Sequence, residues 1–169
     1  MQIRRLLASD AVAFQKLRLF GLQESPTAFG SSYEEEVDRS TPEIAKSLEE
    51  QVGKTIFGAF ANHTLLAIVA VGRETSIKGR HRGFIRSVYV EPSVRGQGIG
   101  KALMQHAMKF ARTMPDLRQV TLTVTDGNHA AITTYLALGF KICGTAPEAL
   151  YVDGKYYDEV QMVHLLNMI

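Results

Sequence analysis

The spacing of apolar residues changes period several times along this chain, and each change predicts a new element. Residues 2–7 alternate loosely and predict a short strand. A helical pattern then runs to about Gln23, with Ser9-Asp10 as its cap and Val12, Leu17, Leu19 and Phe20 among its apolar positions. Glu24-Ser25-Pro26 breaks it. Residues 27–40 hold no clear period, although Tyr33-Glu34-Glu35-Glu36 reads as a short helix. Thr41-Pro42-Glu43 combines a cap with a first-turn proline and predicts a helix ending near Gly53.

Strand patterns dominate the next segment. Residues 54–61 and 65–71 read as strands joined at Asn62-His63-Thr64, and the polar residues 73–82 read as a loop. Residues 83–90 form another strand pattern. A helix from Gly98 or Gly100 to about Thr113 follows, with Leu103, Ala107, Phe110 and Ala111 inward and Met114-Pro115 closing it. Residues 119–125 alternate through Val120, Leu122 and Val124, as a half-buried strand does. Residues 130–138 read as a helix stopped by Gly139. Residues 141–144 and 158–166 read as strands of a hairpin turning at Asp153-Gly154. The order is β-α-α-β-β-β-α-β-α-β-β. Adjacent strands combined with crossovers predict an α/β class with a mixed sheet.

Bulk properties narrow the partners. The 169 residues suit a single domain spanning 1–169, with 46% hydrophobic and 21% charged residues, as in ordinary globular chains. A formal net charge of +2 argues against a nucleic-acid binder. No apolar run approaches the roughly 18 residues of a membrane span. Met1 to Asp10 already carries Arg4 and Arg5 and has no secretory apolar stretch. The single cysteine, Cys143, excludes an intramolecular disulfide and fits a reducing cytoplasm. Monomer and homodimer both remain open, and no metal-ligand spacing is present.

The candidate chemistry sits at Val88-Tyr89-Val90-Glu91-Pro92-Ser93-Val94-Arg95-Gly96-Gln97-Gly98-Ile99-Gly100-Lys101. A strand ends at a Pro-Ser turn, a loop with alternate glycines follows, and a helix starts at once. Backbone N–H groups uncovered at a helix N-terminus suit a phosphate. A dinucleotide motif G-x-G-x-x-G would need glycine at Lys101 or Leu103. A P-loop would need glycine at Arg95 and Ser or Thr at Ala102. Both fail. What remains, Arg95-x-x-Gly98-x-Gly100, resembles the acyl-CoA pyrophosphate loop of the GCN5-related N-acetyltransferase (GNAT) superfamily. A ligand-free glycine-rich β-α turn is the other reading of the loop alone.

A second stretch strengthens the resemblance. Asn128-His-Ala-Ala131-Ile-Thr-Thr-Tyr135-Leu-Ala-Leu-Gly139-Phe140 is similar to the GNAT pattern N-x-x-A-x-x-x-Y-x-x-x-G-F at every fixed position. Ala131 and Tyr135 are four apart and share a helix face. Read alone, Asn128 is a ligand contact or a helix cap, and Tyr135 a proton donor or a core tyrosine. The match is strong over about residues 83–140; the first 82 residues match in element order only.

The resemblance implies the GNAT fold and acetyl-CoA as co-substrate, with no metal. It implies direct acetyl transfer to a primary amine of a small molecule or peptide in a ternary complex. The pyrophosphate would lie on the backbone of Gly96, Gln97, Gly98, Ile99, Gly100 and Lys101, with Arg95 at the family's Q/R position. The pantetheine arm would pair with Val88 and Val90, Tyr89 lying between them. Asn128 and Ala131 would complete the cofactor contacts, and Tyr135 would be the general acid for the thiolate. Tyr33, Glu35 and Glu36 fall where relatives build the acceptor wall, but three consecutive glutamates also make an exposed acidic helix face. The general base is not identified: Glu34, Glu35, Glu36, Glu91, Asp126 and Asp158 are candidates, and a water chain or an amine bound already neutral would need no side-chain base. A catalytically silent CoA-binding module is the alternative function; intact Asn128 and Tyr135 favour the enzyme.

Overall fold

The computed structural model describes residues 1–50 and 53–166. Seven strands form one sheet in the order β1-β2-β3-β4-β5-β7-β6. They are β1 (Gln2–Arg5), β2 (Lys54–Ala61), β3 (Thr64–Arg73), β4 (Arg82–Val90), β5 (Gln119–Thr125), β6 (Lys141–Val152) and β7 (Lys155–Leu165). Every neighbouring pair is antiparallel except β4 and β5. The helices are α1 (Ala11–Glu24), the single turn α2 (Tyr33–Glu36), α3 (Thr41–Glu50), α4 (Ile99–Ala111) and α5 (His129–Ala137).

The sheet separates two cores. Successive strand residues face opposite sides, so Val69 and Val71 of β3 join Leu103, Met104 and Ala107 of α4 in one core. Ile68 and Ala70 join Phe14, Leu17 and Leu22 of α1 and Ile44 and Leu48 of α3 in the other. β3 is therefore apolar at nearly every position, as a strand covered on both faces must be. Full burial of each such side chain stabilises the fold by about 1.5–3 kcal/mol.

One irregularity in β4 shapes the functional region. Ile85 belongs to the α4-side core and Tyr89 to the α1-side core, although four residues apart should place them on one face. The register with β3 slips between Ile68 and Ala70, and Ser87 adopts φ +54°. This bulge turns the second half of the strand over, so that Val88 and Val90 pack towards α4. Among the described residues β4 pairs with β5 only from Arg82↔Gln119 to Phe84↔Thr121. Beyond that the two parallel strands part and leave a cleft.

Several details differ from the pattern-based expectations. Asp10 does not cap α1 with its side chain; its carboxylate takes the Arg4 guanidinium at 2.7 and 2.9 Å and the Leu7 N–H. The buried face of α1 runs through Phe14, Leu17, Arg18, Gly21 and Leu22, while Val12 is 66% and Phe20 46% exposed. Arg18 and Gly21 occupy inward positions, which blurs the apolar period. β6 extends over twelve residues rather than 141–144, because two register shifts interrupt an edge strand with little apolar alternation. The final hairpin turns at Asp153 and Gly154 as expected, both with positive φ. The predicted end of α3 near Gly53 adjoins residues 51–52, which lie outside the described residues.

Candidate active site

The glycine loop has the geometry of an anion cradle. Gly96 and Gly98 have φ of +76° and +80°, and a Cβ on either would meet nothing within 4 Å. These glycines are required by backbone conformation and not by crowding. Gly98 caps α4 without a side-chain hydrogen bond. Residues 96–101 donate no backbone hydrogen bond to any described residue. Six consecutive N–H groups, unmatched among the described residues, at the positive end of a thirteen-residue helix could hold a polyanion.

Arg95, just ahead of the loop, turns back towards the protein. Its Nε donates to the Val90 carbonyl at 2.9 Å, and its two Nη atoms reach the Glu24 carboxylate at 3.1 and 2.7 Å. The Tyr89 hydroxyl donates to the same carboxylate at 3.0 Å. Chiefly through the Arg95 hydrogen bonds, Glu24 is held down at about 2. Burial, with the Glu24 hydrogen bond adding to it, pushes Tyr89 up to about 12. The Tyr89 ring lies 3.1 Å from where a Cβ on Gly21 would stand, so α1 sits directly on it. This clamp ties the end of α1 to the cradle.

Across the cleft, α5 and its cap contribute three of the expected residues, Asn128, Ala131 and Tyr135. Asn128 caps the helix, its Oδ1 accepting from Ala131 N–H at 3.2 Å. Its Nδ2 makes no hydrogen bond among the described residues and stays available to a ligand. Tyr135 is only 7% exposed, and burial pushes its phenol up to about 12. Its hydroxyl has no hydrogen-bond partner among the described residues, although Tyr135 lines the cleft. Gly139 ends the helix with φ +88°, and Phe140 N–H returns to Tyr135 C=O.

The cleft holds about 980 Å³ and is walled by β4, β5, the cradle, α5 and the segment after α1. Val88, Tyr89, Val90, Arg95, Gly96, Gly98, Ile99, Gly100, Lys101, Asn128, Ala131 and Tyr135 all line it. Gln97, Tyr33, Glu35 and Glu36 do not. Glu35 closes a capping box with Ser32 at 2.7 Å, and Tyr33 packs on the α1-side core. Glu36 binds the buried Arg18 through Nε at 3.1 Å and Nη2 at 2.7 Å. Burial alone would raise the Glu36 carboxyl, but the Arg18 hydrogen bonds and charge outweigh it and hold it below its ordinary value.

The base candidates separate in the same way. Asp126 accepts from Gly127 N–H at 2.9 Å and Asp158 from Glu148 N–H at 2.8 Å. Neither lines the cleft, nor does Glu91. Glu159 does, and its carboxylate makes no hydrogen bond or ion pair among the described residues. Sequence reading passed over it beside Asp158. The signal was parity: Val160 and Met162 are buried in the core, which sets Glu159 on the opposite face from them.

The profile of the Acetyltransferase (GNAT) family matches residues 21–140, which spans the α1 end, the bulged strand, the cradle and α5. The chain belongs to the GNAT family. Streptothricin acetyltransferase of Streptomyces lavendulae is 38% identical over 92 residues, 49% of this chain and 48% of that protein. The peptidyl-lysine N-acetyltransferase YjaB of Salmonella typhimurium is 41% identical over 58 residues, 34% of this chain and 36% of that protein. The chain thus aligns with half or less of these relatives' lengths. A GNAT-family acetyltransferase from Streptococcus pneumoniae superposes with TM-score 0.85 at 25% identity, covering 98% of this chain and 99% of that one. A GNAT phosphinothricin acetyltransferase from Sinorhizobium meliloti, solved in complex with acetyl-CoA, gives TM-score 0.83 at 19% identity, over 98% and 88%. The latter likeness concerns the GNAT fold alone.

Proposed function

We propose that this chain is an acetyl-CoA-dependent N-acetyltransferase that transfers acetyl directly to a primary amine of a small molecule or peptide. The observation that carries the reading is the run of six N–H groups at 96–101, unmatched among the described residues, five of which belong to residues lining the same cleft as Tyr135. Acetyl-CoA supplies a thioester and a pyrophosphate. The cradle fits the pyrophosphate, since two of its glycines leave open space where other residues carry Cβ atoms.

The chain's own groups divide the work. The main chain of Val88 and Val90, freed from β5 by the bulge, takes the peptide-like arm as an added strand. An N–H there polarises the thioester carbonyl. Tyr135 is the general acid. At about 12 its phenol stays protonated throughout the neutral range. Full transfer to a thiolate of ordinary pKa, about 8.5, is then uphill by roughly 5 kcal/mol. The phenol therefore stabilises the departing sulfur by hydrogen bonding and yields its proton as the amine's surplus proton reaches the same oxygen.

Relatives named for streptothricin and for peptidyl-lysine support an amine acceptor. A thiol-release assay with acetyl-CoA against streptothricin, a lysine peptide, L-methionine sulfone and spermidine tests the proposal. Release with at least one amine is expected. Acetyl-CoA binding without release from any primary amine would instead support the silent CoA-binding module.

A further inference from the structure

We infer that Glu159 binds the acceptor's ammonium group and takes its first proton, so that the acceptor is a primary amine arriving in its charged form. The inference rests on the N-acetyltransferase reading and adds the base and the charge state of the acceptor to it.

Position supports the assignment first. Glu159 pairs in register with Thr125 at the end of β5, and β5 leads within three residues to Asn128, the cap of the Tyr135 helix. Glu159 and Tyr135 therefore reach one cleft from the same end of the sheet. The Thr125 hydroxyl donates to the Thr27 carbonyl, which ties the segment after α1 to the wall beside Glu159.

Elimination supports it next. Among the described residues Glu159 is the one carboxylate lining the cleft. The nearby acids are engaged elsewhere: Glu24 by Arg95, Glu36 by Arg18, Asp126 by Gly127 N–H and Asp158 by Glu148 N–H. The other titratable groups lining the cleft are Arg18, Arg86, Tyr89, Arg95, Lys101 and Tyr135. Arg18 and Arg95 are held by their glutamates, Arg86 approaches Glu74 at 3.9 Å, and both tyrosines are pushed up to about 12. Asp126 follows Thr125 directly, and Glu148 lies in the β6 register shift just past Ala146, which pairs with Glu159. Glu159 is partly buried and has no partner among the described residues, and an ammonium ion would supply one.

The proton balance closes. Glu159 accepts one proton from the ammonium ion and becomes neutral. The freed nitrogen lone pair forms the C–N bond at the thioester carbonyl, and the C–S bond breaks. Sulfur leaves with that electron pair and receives the Tyr135 proton. The amine's second proton passes to the Tyr135 oxygen, and Glu159 releases its proton to water.

The test measures kcat/KM by thiol release from pH 6 to 10, with spermidine and a lysine peptide amide as acceptors, for wild type, Glu159→Gln and Glu159→Asp. Calorimetric titration of acetyl-CoA accompanies each. Glu159→Gln is expected to lose about 10²-fold at pH 7. The deficit should shrink above about pH 9, as free amine forms in solution. Glu159→Asp should recover part of the loss, and acetyl-CoA affinity should stay within about twofold of wild type. A Gln variant within threefold of wild type at every pH overturns the inference. So does a deficit independent of pH, or one accompanied by lost acetyl-CoA binding, which would mark a structural role. Wild type silent with every amine would instead remove the transferase reading itself.

Discussion

Tyr135 illustrates how far a single residue can be read. Its spacing from Ala131 and the stop at Gly139 were visible in the sequence, but its burial and unpartnered hydroxyl were not. They depend on β5 and β7 meeting the helix from elsewhere in the chain. Because the hydroxyl bonds to no described residue, Tyr135→Phe removes no hydrogen bond among the described residues. The variant should keep its melting temperature and acetyl-CoA affinity while kcat falls about 10²-fold. Calorimetry and steady-state kinetics on the same preparation check this. A fall in melting temperature with unchanged kcat would make Tyr135 a core residue only. Arg95 shows the opposite limit. Its motif position was legible, but its bonds to Glu24, seventy-one residues earlier, could not be read from local pattern.

At the scale of elements, the Glu24–Arg95–Tyr89 clamp joins α1 to the cradle. The arginine is partly exposed, so solvent screening reduces the pair to about 1 kcal/mol. The pH dependence has a definite sign. The Glu24 carboxyl ordinarily titrates near 4.5 and is held down at about 2, so its stabilisation is complete above about 4.5. It is lost as pH falls towards about 2. Glu24→Gln should therefore lower the melting temperature by about 2–4 °C at pH 7, with the gap closing between about pH 4.5 and 2. Thermal unfolding followed by circular dichroism measures both. A gap that persists at pH 2 would argue against the ion pair as its source. Most elements were legible from period and punctuation, since Pro42, Gly139 and Asp153-Gly154 are local signals. The β4 bulge was not, because Ser87 carries no residue-type mark of a positive φ, and α1 was blurred by an inward arginine and glycine.

For the whole molecule, one sheet with a core on each face holds two parallel strands that part midway, and the cleft lies at that parting. The element order, the mixed sheet and the final hairpin were legible in sequence, but the placing of β7 between β5 and β6 was not. The parting itself depends on register, which apolar periodicity does not encode. On the proposed function, cradle, bulged strand and α5 act on one ligand, and a ligand bound by all three would stabilise the fold by about 2.7 kcal/mol at one hundred times its Kd. The most direct measurement is calorimetric titration of acetyl-CoA into wild type and Gly98→Val. Valine at φ +80° is strained whatever the available space, and it distorts the cradle. The account predicts one acetyl-CoA bound per chain, with affinity at least tenfold weaker in the variant. No binding to wild type at millimolar acetyl-CoA, or equal affinity in a folded Gly98→Val, would contradict it.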